Sequence, residues 1–260
     1  MVSTMLSIMK NKWFLGIGLG VIILSATGIT LGIIYANPNS NGGYAEDIEV
    51  TFINHATVMI EFENTRIYID PYELETYSDC LPADYIFITH NHGDHYSPAD
   101  IDLIIQNTTT IIAPLFCGDI TGAYDVFTVR PGNIYAIDNI TVETFPMDTY
   151  ISNHARELEY CGYLVTIGDQ SIYHAGDTRI IPEFSQLEGR VDVACLPVGG
   201  ECSAMGEMEA SEAVGVIKPH YVIPIHFNLD FIDLDYFADL CEGEYSDAIV
   251  WSGTNPLILT

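Results

Sequence analysis

Positive charge is what this chain has least of. Eight Lys and Arg stand against 36 Asp and Glu in 260 residues. Nucleic-acid binding depends on cationic side chains that neutralise phosphates, so the balance argues against a nuclease or nucleic-acid-binding role. The shortage is also uneven. Lys10 and Lys12 precede every acidic residue, so residues 37–260 carry six basic groups against all 36 acidic ones, a formal charge of −30. A field of that sign keeps a domain soluble and repels polyanions, and it fits a protein that works in concentrated salt. A thermal melt that gains nothing between low and molar salt would remove the high-salt reading. The six cysteines, at 80, 117, 161, 195, 202 and 241, contain no C-x-x-C pair, which excludes a zinc ribbon. Cys161 and Cys195 fall in strand-like runs, where a free cysteine behaves as a small hydrophobe. No repeat of 20 to 50 residues is present.

Charge of either sign is missing altogether from Trp13 to Ala36. At a rise of about 1.5 Å per residue, a helix of that length crosses a hydrocarbon core of about 30 Å. A cleaved secretory signal ending near Tyr35-Ala36 is the alternative, but its apolar region is usually about 7 to 15 residues long. Both lysines lie before the span, and no Lys or Arg follows it until Arg66, which orients the N-terminus to the cytoplasm. The expected organisation is a short cytoplasmic segment (1–12), a membrane anchor (13–36), a polar linker (37–46) and an extracytoplasmic domain (47–260). If the span is instead a cleaved signal, the domain is secreted.

Within the domain, Ile48–Ile53, Thr57–Phe62 and Arg66–Asp70 alternate apolar with polar residues or are β-branched, and they read as consecutive strands. An apolar strand over Tyr85–Thr89 follows. Ser97-Pro98 then supplies an N-cap and a proline at the first helical position, with Ile101, Ile104 and Ile105 on one face. Short strands are expected at 110–113, 134–137, 140–145, 163–167 and 171–174. Beyond them the chain alternates between a buried strand over 191–197, a helix over 207–217 packing through Met208, Ala210, Ala213, Val214 and Ile217, a strand over 221–225 and a helix over 234–240. Strands that give way to helices in this fashion predict α/β layers. Two strand-rich halves, each closing with helices, also permit a pseudo-duplicated sandwich.

The densest chemistry is His90-Asn91-His92-Gly93-Asp94-His95, three imidazoles and a carboxylate in six residues at a strand exit. Those groups suit zinc and neighbouring first-row metals. Further ligands must come from elsewhere, and His55, His154, His174, His220 and His226 are available with the acidic residues. His226 follows a strand, like the cluster itself. Asp177 leaves another strand beside Gly176, which allows the turn that points a carboxylate at a cation. An Asx-type turn is the plainer reading of that aspartate.

These segments resemble a known family. Thr89-His-Asn-His-Gly-Asp-His95 is similar to the H-x-H-x-D-H signature of the metallo-β-lactamase superfamily, and Ile69-Asp-Pro71, Ala175-Gly-Asp-Thr178 and Ile223-Pro-Ile-His226 look like its other motifs in the same order. Asn54-His-Ala-Thr57, Leu196-Pro-Val-Gly-Gly200 and Lys218–His226 resemble the branch that contains lactonase-like hydrolases and N-acyl phosphatidylethanolamine phospholipase D. The resemblance implies an αββα sandwich with a two-metal site at one edge of the sheets. By motif, His90, His92 and His154 would hold one divalent cation, Asp94, His95 and His226 the second, and Asp177 would bridge them. Zinc is the expected metal, with manganese or iron as alternatives. His154, in Ser152-Asn-His-Ala-Arg156, lacks the family's commonest context. His55 would contact substrate, move a proton or support a ligand, and Asp70 would support a ligand from behind. His174 is expected in the core or on its strand, and His220 at the surface.

The activity implied is hydrolysis. Two cations about 3.5 to 4 Å apart lower the pKa of a bridging water, and the resulting hydroxide attacks a carbonyl or phosphorus centre. Asp94 would both bind metal and take the water's proton. The substrate is an ester, lactone or amide, or else a phosphodiester, and the anchor makes lipid-like molecules accessible. A metal-binding or sensing module without turnover and a di-iron redox protein are the competing readings.

Overall fold

The computed structural model describes residues 47–260 apart from Ser78, Asp79 and Thr254. The expected cytoplasmic segment (1–12), anchor (13–36) and linker (37–46) lie outside the described residues, and among those described no helix is long and apolar enough to cross a membrane.

Period-two patterning produces the first meander: β1 (Ile48–Asn54), β2 (Thr57–Phe62) and β3 (Thr65–Ile69) pair antiparallel in sequence. Next come β4 (Tyr85–Phe87), α1 (Pro98–Ile104), β5 (Thr110–Pro114), α2 (Gly118–Ala123) and β6 (Val126–Val129). The second half holds β7 (Ile134–Ile137), β8 (Ile140–Pro146), β9 (Cys161–Ile167), β10 (Gln170–His174), β11 (Val193–Pro197), α3 (Glu207–Ile217), β12 (Tyr221–Ile225), α4 (Leu234–Glu244), β13 (Ile249–Val250) and β14 (Leu257–Leu259).

The strands form two seven-stranded sheets, ordered β14-β1-β2-β3-β4-β5-β6 and β13-β12-β11-β10-β9-β8-β7. Both use one scheme, which realises the duplication that the sequence only permitted. In the first, three antiparallel pairings from β14 to β3 are followed by three parallel ones from β3 to β6. The second repeats this, antiparallel from β7 to β10 and parallel from β10 to β13. The C-terminal strand β14 fills in the first sheet the place that β7 fills in the second. That strand, with α2, β6 and β13, is absent from the sequence reading, because none of these segments carries an extended alternating pattern.

Three apolar layers hold the sheets and helices together. Val58, Ile60, Ile67 and Phe87 of the first sheet meet Val142, Tyr163, Val165 and Ile223 of the second between the sheets. Ala210, Ala213, Val214 and Ile217 of α3 and Phe237 and Cys241 of α4 cover the outer face of the second sheet. Ile101 and Ile104 of α1, with Ile120 of α2, cover the outer face of the first. The layers therefore run helix, sheet, sheet, helix. The Ser97 hydroxyl caps α1 by accepting from Asp100 N, and Asp233 caps α4 through the amides of Asp235 and Tyr236. Met208 departs from expectation. It is 65% exposed, because it stands two residues, about 200° of helix rotation, before the fully buried Ala210 and so lies on the solvent side of α3. All six cysteines are free, four of them buried, Cys161 and Cys195 in the strands expected.

Candidate metal centre

The motif residues leave the strands at one end of the sandwich. Asp70 follows β3, His90 to His95 follow β4, His154 ends a short 3-10 turn (Ser152–His154) after β8, Asp177 follows β10, and His226 follows β12. His55 sits in the turn between β1 and β2. Three of these residues, His55 (φ 46°), Asp70 (φ 51°) and His226 (φ 53°), are held in the left-handed region. That conformation costs roughly 1–2 kcal/mol for a residue with a side chain, and such costs gather where the surrounding structure must aim a functional group.

Two glycines of the motifs are required by close approach. A Cβ on Gly176, already at φ 62°, would lie 2.9 Å from Met147 Sδ and 3.1 Å from Thr89 Cβ. One on Gly199 would lie 2.4 Å from the carbonyl oxygen of His226. Gly199 N donates to that same oxygen at 3.1 Å, so the Gly-Gly loop clamps the histidine's backbone.

One ring-nitrogen group is made of three imidazoles. His154 Nε2 lies 3.2 Å from His90 Nε2 and 3.1 Å from His92 Nδ1. A single N–H cannot serve both contacts, so at least one pair of nitrogens faces with nothing between them. His90 Nδ1 is 2.9 Å from Thr89 Oγ1, whose hydrogen is given to Asp70 Oδ2 at 2.6 Å. His90 therefore donates through Nδ1, and its Nε2 is left as a lone-pair acceptor. Burial drives His90 well below the ordinary histidine value and pushes His154 down to about 4, which keeps both rings neutral.

The second group contains Asp94, His95, His226 and His55, with ligand atoms within 4.8 Å of one another. Asp94 Oδ2 is 3.2 Å from His55 Nε2 and 3.7 Å from His226 Nε2. His95 Nδ1 donates to Asp70 Oδ2 at 2.8 Å, which fixes the tautomer and leaves Nε2 facing Asp177 Oδ1 at 3.3 Å. Hydrogen bonds from His226 and His55 hold the Asp94 carboxyl far below the usual carboxylate range. Burial opposes charge on His226 and His95, but Asp177 and Asp94 raise the first to about 9, and Asp177 and Asp70 raise the second well above its ordinary value.

Asp177 lies between the groups. Its Oδ2 is 3.0 Å from His226 Nε2, 3.8 Å from His154 Nε2 and 3.9 Å from His90 Nε2. Burial opposes its charge, yet His95 and His226 hold it well below the usual range. Both its oxygens, with His95 Nε2 and both ring nitrogens of His226, are buried without an aligned hydrogen-bond partner. Buried polar atoms are rarely left so. Four of these atoms, the two Asp177 oxygens with His95 Nε2 and His226 Nε2, face one another, and their imidazole and carboxylate chemistry fits a metal site.

The structure thus brings together His90, His92, Asp94, His95, His154, Asp177 and His226, with His55 beside Asp94 and Asp70 behind His95. His174 stays apart, fully buried in the core, and His220 lies at the surface against Asp192. Several supporting residues escaped the sequence reading. Thr89 shares Asp70 with His95. Tyr160 donates to Asn91 Oδ1 at 2.6 Å and packs its ring 5.6 Å from that of His90. The Thr178 hydroxyl joins the Asp177 turn to the loop carrying His154, accepting from Asp148 N at 3.0 Å. Thr89 opens one motif segment and Thr178 closes another, so both were open to notice, whereas nothing local marks Tyr160. Two open cavities of about 590 Å³ lie elsewhere, and neither is lined by a residue of the cluster.

A family model described as β-lactamase superfamily domain matches residues 49–226. The UPF0173 metal-dependent hydrolase of Thermococcus kodakarensis is 34% identical over 195 residues, 70% of this chain and 85% of that protein. Igni18, described as a novel metallo hydrolase from Ignicoccus hospitalis, superposes with a TM-score of 0.69 at 21% identity, over 82% of this chain and 99% of its own. CmlA, a diiron β-hydroxylase from Streptomyces venezuelae, has a TM-score of 0.64 at 18% identity, covering 84% of this chain and 54% of its own.

Proposed function

The chain belongs to the β-lactamase superfamily and is a metal-dependent hydrolase, and we propose that its reaction is the hydrolysis of a carboxylic ester, lactone or amide at a two-cation centre. The observation that carries this reading is the position of Asp177 between two ligand groups that share no other side chain. His90, His92 and His154 would hold one cation, Asp94, His95 and His226 the other, and Asp177 would reach both. Zinc suits this imidazole-rich set. Two divalent cations held there would polarise the substrate's oxygen and supply a water nucleophile near neutral pH.

The chain's own residues handle the proton. Asp94 Oδ2 shares a hydrogen-bond contact with His55 Nε2, and the His55 side chain is 20% exposed, so a proton taken from the attacking water leaves through Asp94 and His55 to solvent. His95 and Asp70 remain paired throughout and hold the site's shape. The charge of −30 on the outer segment repels anionic substrates on approach wherever the cations do not offset it, which supports an uncharged carbonyl over a phosphodiester. The uncharged run at 13–36 supports a membrane anchor that leaves the domain outside, where lipid-like esters are within reach. Protease digestion of intact cells, followed by detection of the domain, tests that placement.

The reaction is tested by loading the full-length chain in detergent with Zn(II), Mn(II) or Fe(II), counting bound metal, and assaying lactones, esters, amides and phosphodiesters. Turnover of a carbonyl substrate with two equivalents bound is the expected result. A fully loaded protein that turns over none of them would reject the proposal and favour a binding or sensing role. Turnover confined to phosphodiesters would move the electrophile from carbon to phosphorus. Since the diiron β-hydroxylase shares this fold, absorption bands from reducible iron would turn the reading to redox chemistry.

A further inference from the structure

Five histidines are fully buried, and His174 is the one that stays out of the ligand cluster. It ends β10, two residues before Gly176 and three before Asp177. Its Nδ1 accepts from Gly176 N at 3.2 Å, so the ring hydrogen is on Nε2, which donates to Ala56 O at 2.8 Å. Both partners are main-chain atoms next to site residues. Gly176 precedes Asp177, and Ala56 follows His55.

The two bonds join different sheets. Gly176 leaves the second sheet, whereas Ala56 belongs to the turn between β1 and β2 of the first. The site is divided the same way: His55, Asp70 and His90 to His95 come from the first sheet, and His154, Asp177 and His226 from the second. Its geometry therefore depends on how the sheets are held together at this edge. Other cross-links fix the remaining loops, through His226 N to His55 O at 2.6 Å, Cys161 N to Thr89 O at 3.2 Å, and Tyr163 Oη to Ile88 O at 2.8 Å. For the Asp177 turn, it is His174 that supplies the link toward His55.

We propose that His174 is a positioning residue, which ties the turn of Asp177 to the His55–Asp94 pair through one imidazole hydrogen-bonded to the main chain of both sheets. The proposal rests on the reading of Asp177 as the carboxylate shared by two cations. A hydrocarbon at position 174 fills the space but leaves a buried N–H and a buried C=O without partners, and the turn relaxes away from the first sheet. The bonds can also be cut singly. Gln at this position keeps a donor for Ala56 O, and Asn keeps an acceptor for Gly176 N.

The test uses the full-length chain, Zn(II) titrated against a competing chelator, and melting curves, with His174→Phe, His174→Gln and His174→Asn beside wild type. In His174→Phe at least one of the two equivalents should bind about tenfold or more weakly than in wild type, the effect usual for residues that orient ligands. His174→Gln and His174→Asn should each recover part of that loss. With a turned-over substrate, kcat should fall while KM stays within about twofold, since binding is not what the turn controls. Wild-type affinity for both equivalents in a folded His174→Phe overturns the proposal, as do Gln and Asn variants that bind and melt like Phe. If His174→Phe fails to fold, Gln and Asn decide, and wild-type affinity in both is again fatal. A wild-type protein that takes two Zn(II) but hydrolyses nothing defeats the proposed function alone, because the affinities still measure His174.

Discussion

The three-imidazole group and the carboxylate group of the site share one edge of the sandwich and one aspartate, yet they are poised in opposite protonation states. Burial acts on His90 and His154 with only Asp177 opposing it and neighbouring imidazoles adding to it, so both stay neutral, His154 at about 4. The same burial acts on His95 and His226, but Asp177, Asp70 and Asp94 overcome it and hold His226 at about 9. Burial alone thus does not decide whether a histidine is ready to bind metal; the number of carboxylates facing it does. Loading the first group is simple binding. Loading the second exchanges protons for a cation.

Removing Asp177 breaks the comparison most severely. Asp177→Ala should lose at least one of two metal equivalents and lower kcat by more than about 100-fold, since it takes away a ligand and not just its support. Its metal-free form should show the titration of His226, followed by NMR, falling from about 9 toward the ordinary 6.5. An unchanged titration would mean that Asp94 alone sets that value. His92→Ala and His154→Ala should each cost one equivalent and leave the carboxylate group's proton uptake intact, which metal analysis and NMR read separately. Full occupancy in either variant removes that residue from the ligand set.

Asp70→Asn sharpens the contrast without touching a ligand. It should weaken the carboxylate group's metal by about 10- to 100-fold, because the amide is uncharged and its single oxygen cannot accept from both His95 Nδ1 and the Thr89 amide, as the two carboxylate oxygens do. Chelator competition measures this loss, and an equal weakening of both equivalents would show that Asp70 acts through Thr89 on His90 as well.

The pH dependence is subtler. In the metal-free protein, His226 is charged at neutral pH, so metal uptake there releases a proton and affinity rises with pH until about 9. As pH falls from 8 to 5, the carboxylate group's equivalent should leave first, read as bound metal at each pH. The folded value of His226 lies above its unfolded 6.5, so its contribution to stability is complete below 6.5 and is lost as pH rises through about 9. Chelator-treated protein should accordingly melt at lower temperature at pH 9.5 than at 6.5, and a melt that improves with pH contradicts this. The smallest effect is that of His220→Ala, which should leave metal content and activity unchanged, because its ring is exposed and meets only Asp192.

Much of this was legible in order along the chain. Strands β1 to β3 and β8 to β12 announce themselves through alternation or apolar runs, and the cap at Ser97 marks α1. The six-residue cluster is visible because four candidate ligands are adjacent in sequence. Asp177 and His226 could be read from their motifs, and His154 only through family resemblance, since Ser152–Arg156 has no pattern of its own. The strands β6, β13 and β14 were not legible. They are short edge or near-edge strands whose pairing is decided by a neighbour distant in sequence, as β14 is by β1. Met208 differs in kind: its helix is correctly placed, but a residue two positions before Ala210 falls outside the stripe that Ala210, Ala213, Val214 and Ile217 bury, so an apolar side chain alone did not assign it to the core.

The chain's composition and spacing alone determined an acidic α/β domain with a metal-ligating cluster at a strand exit, because side-chain chemistry and local periodicity are properties of adjacent residues. What only the tertiary structure decided is which nitrogens face one another, that Asp177 stands between the two groups, and that His174 links the sheets beneath them. Those are distances between atoms that belong to different sheets, and no local pattern encodes them until the two halves of the chain have packed face to face.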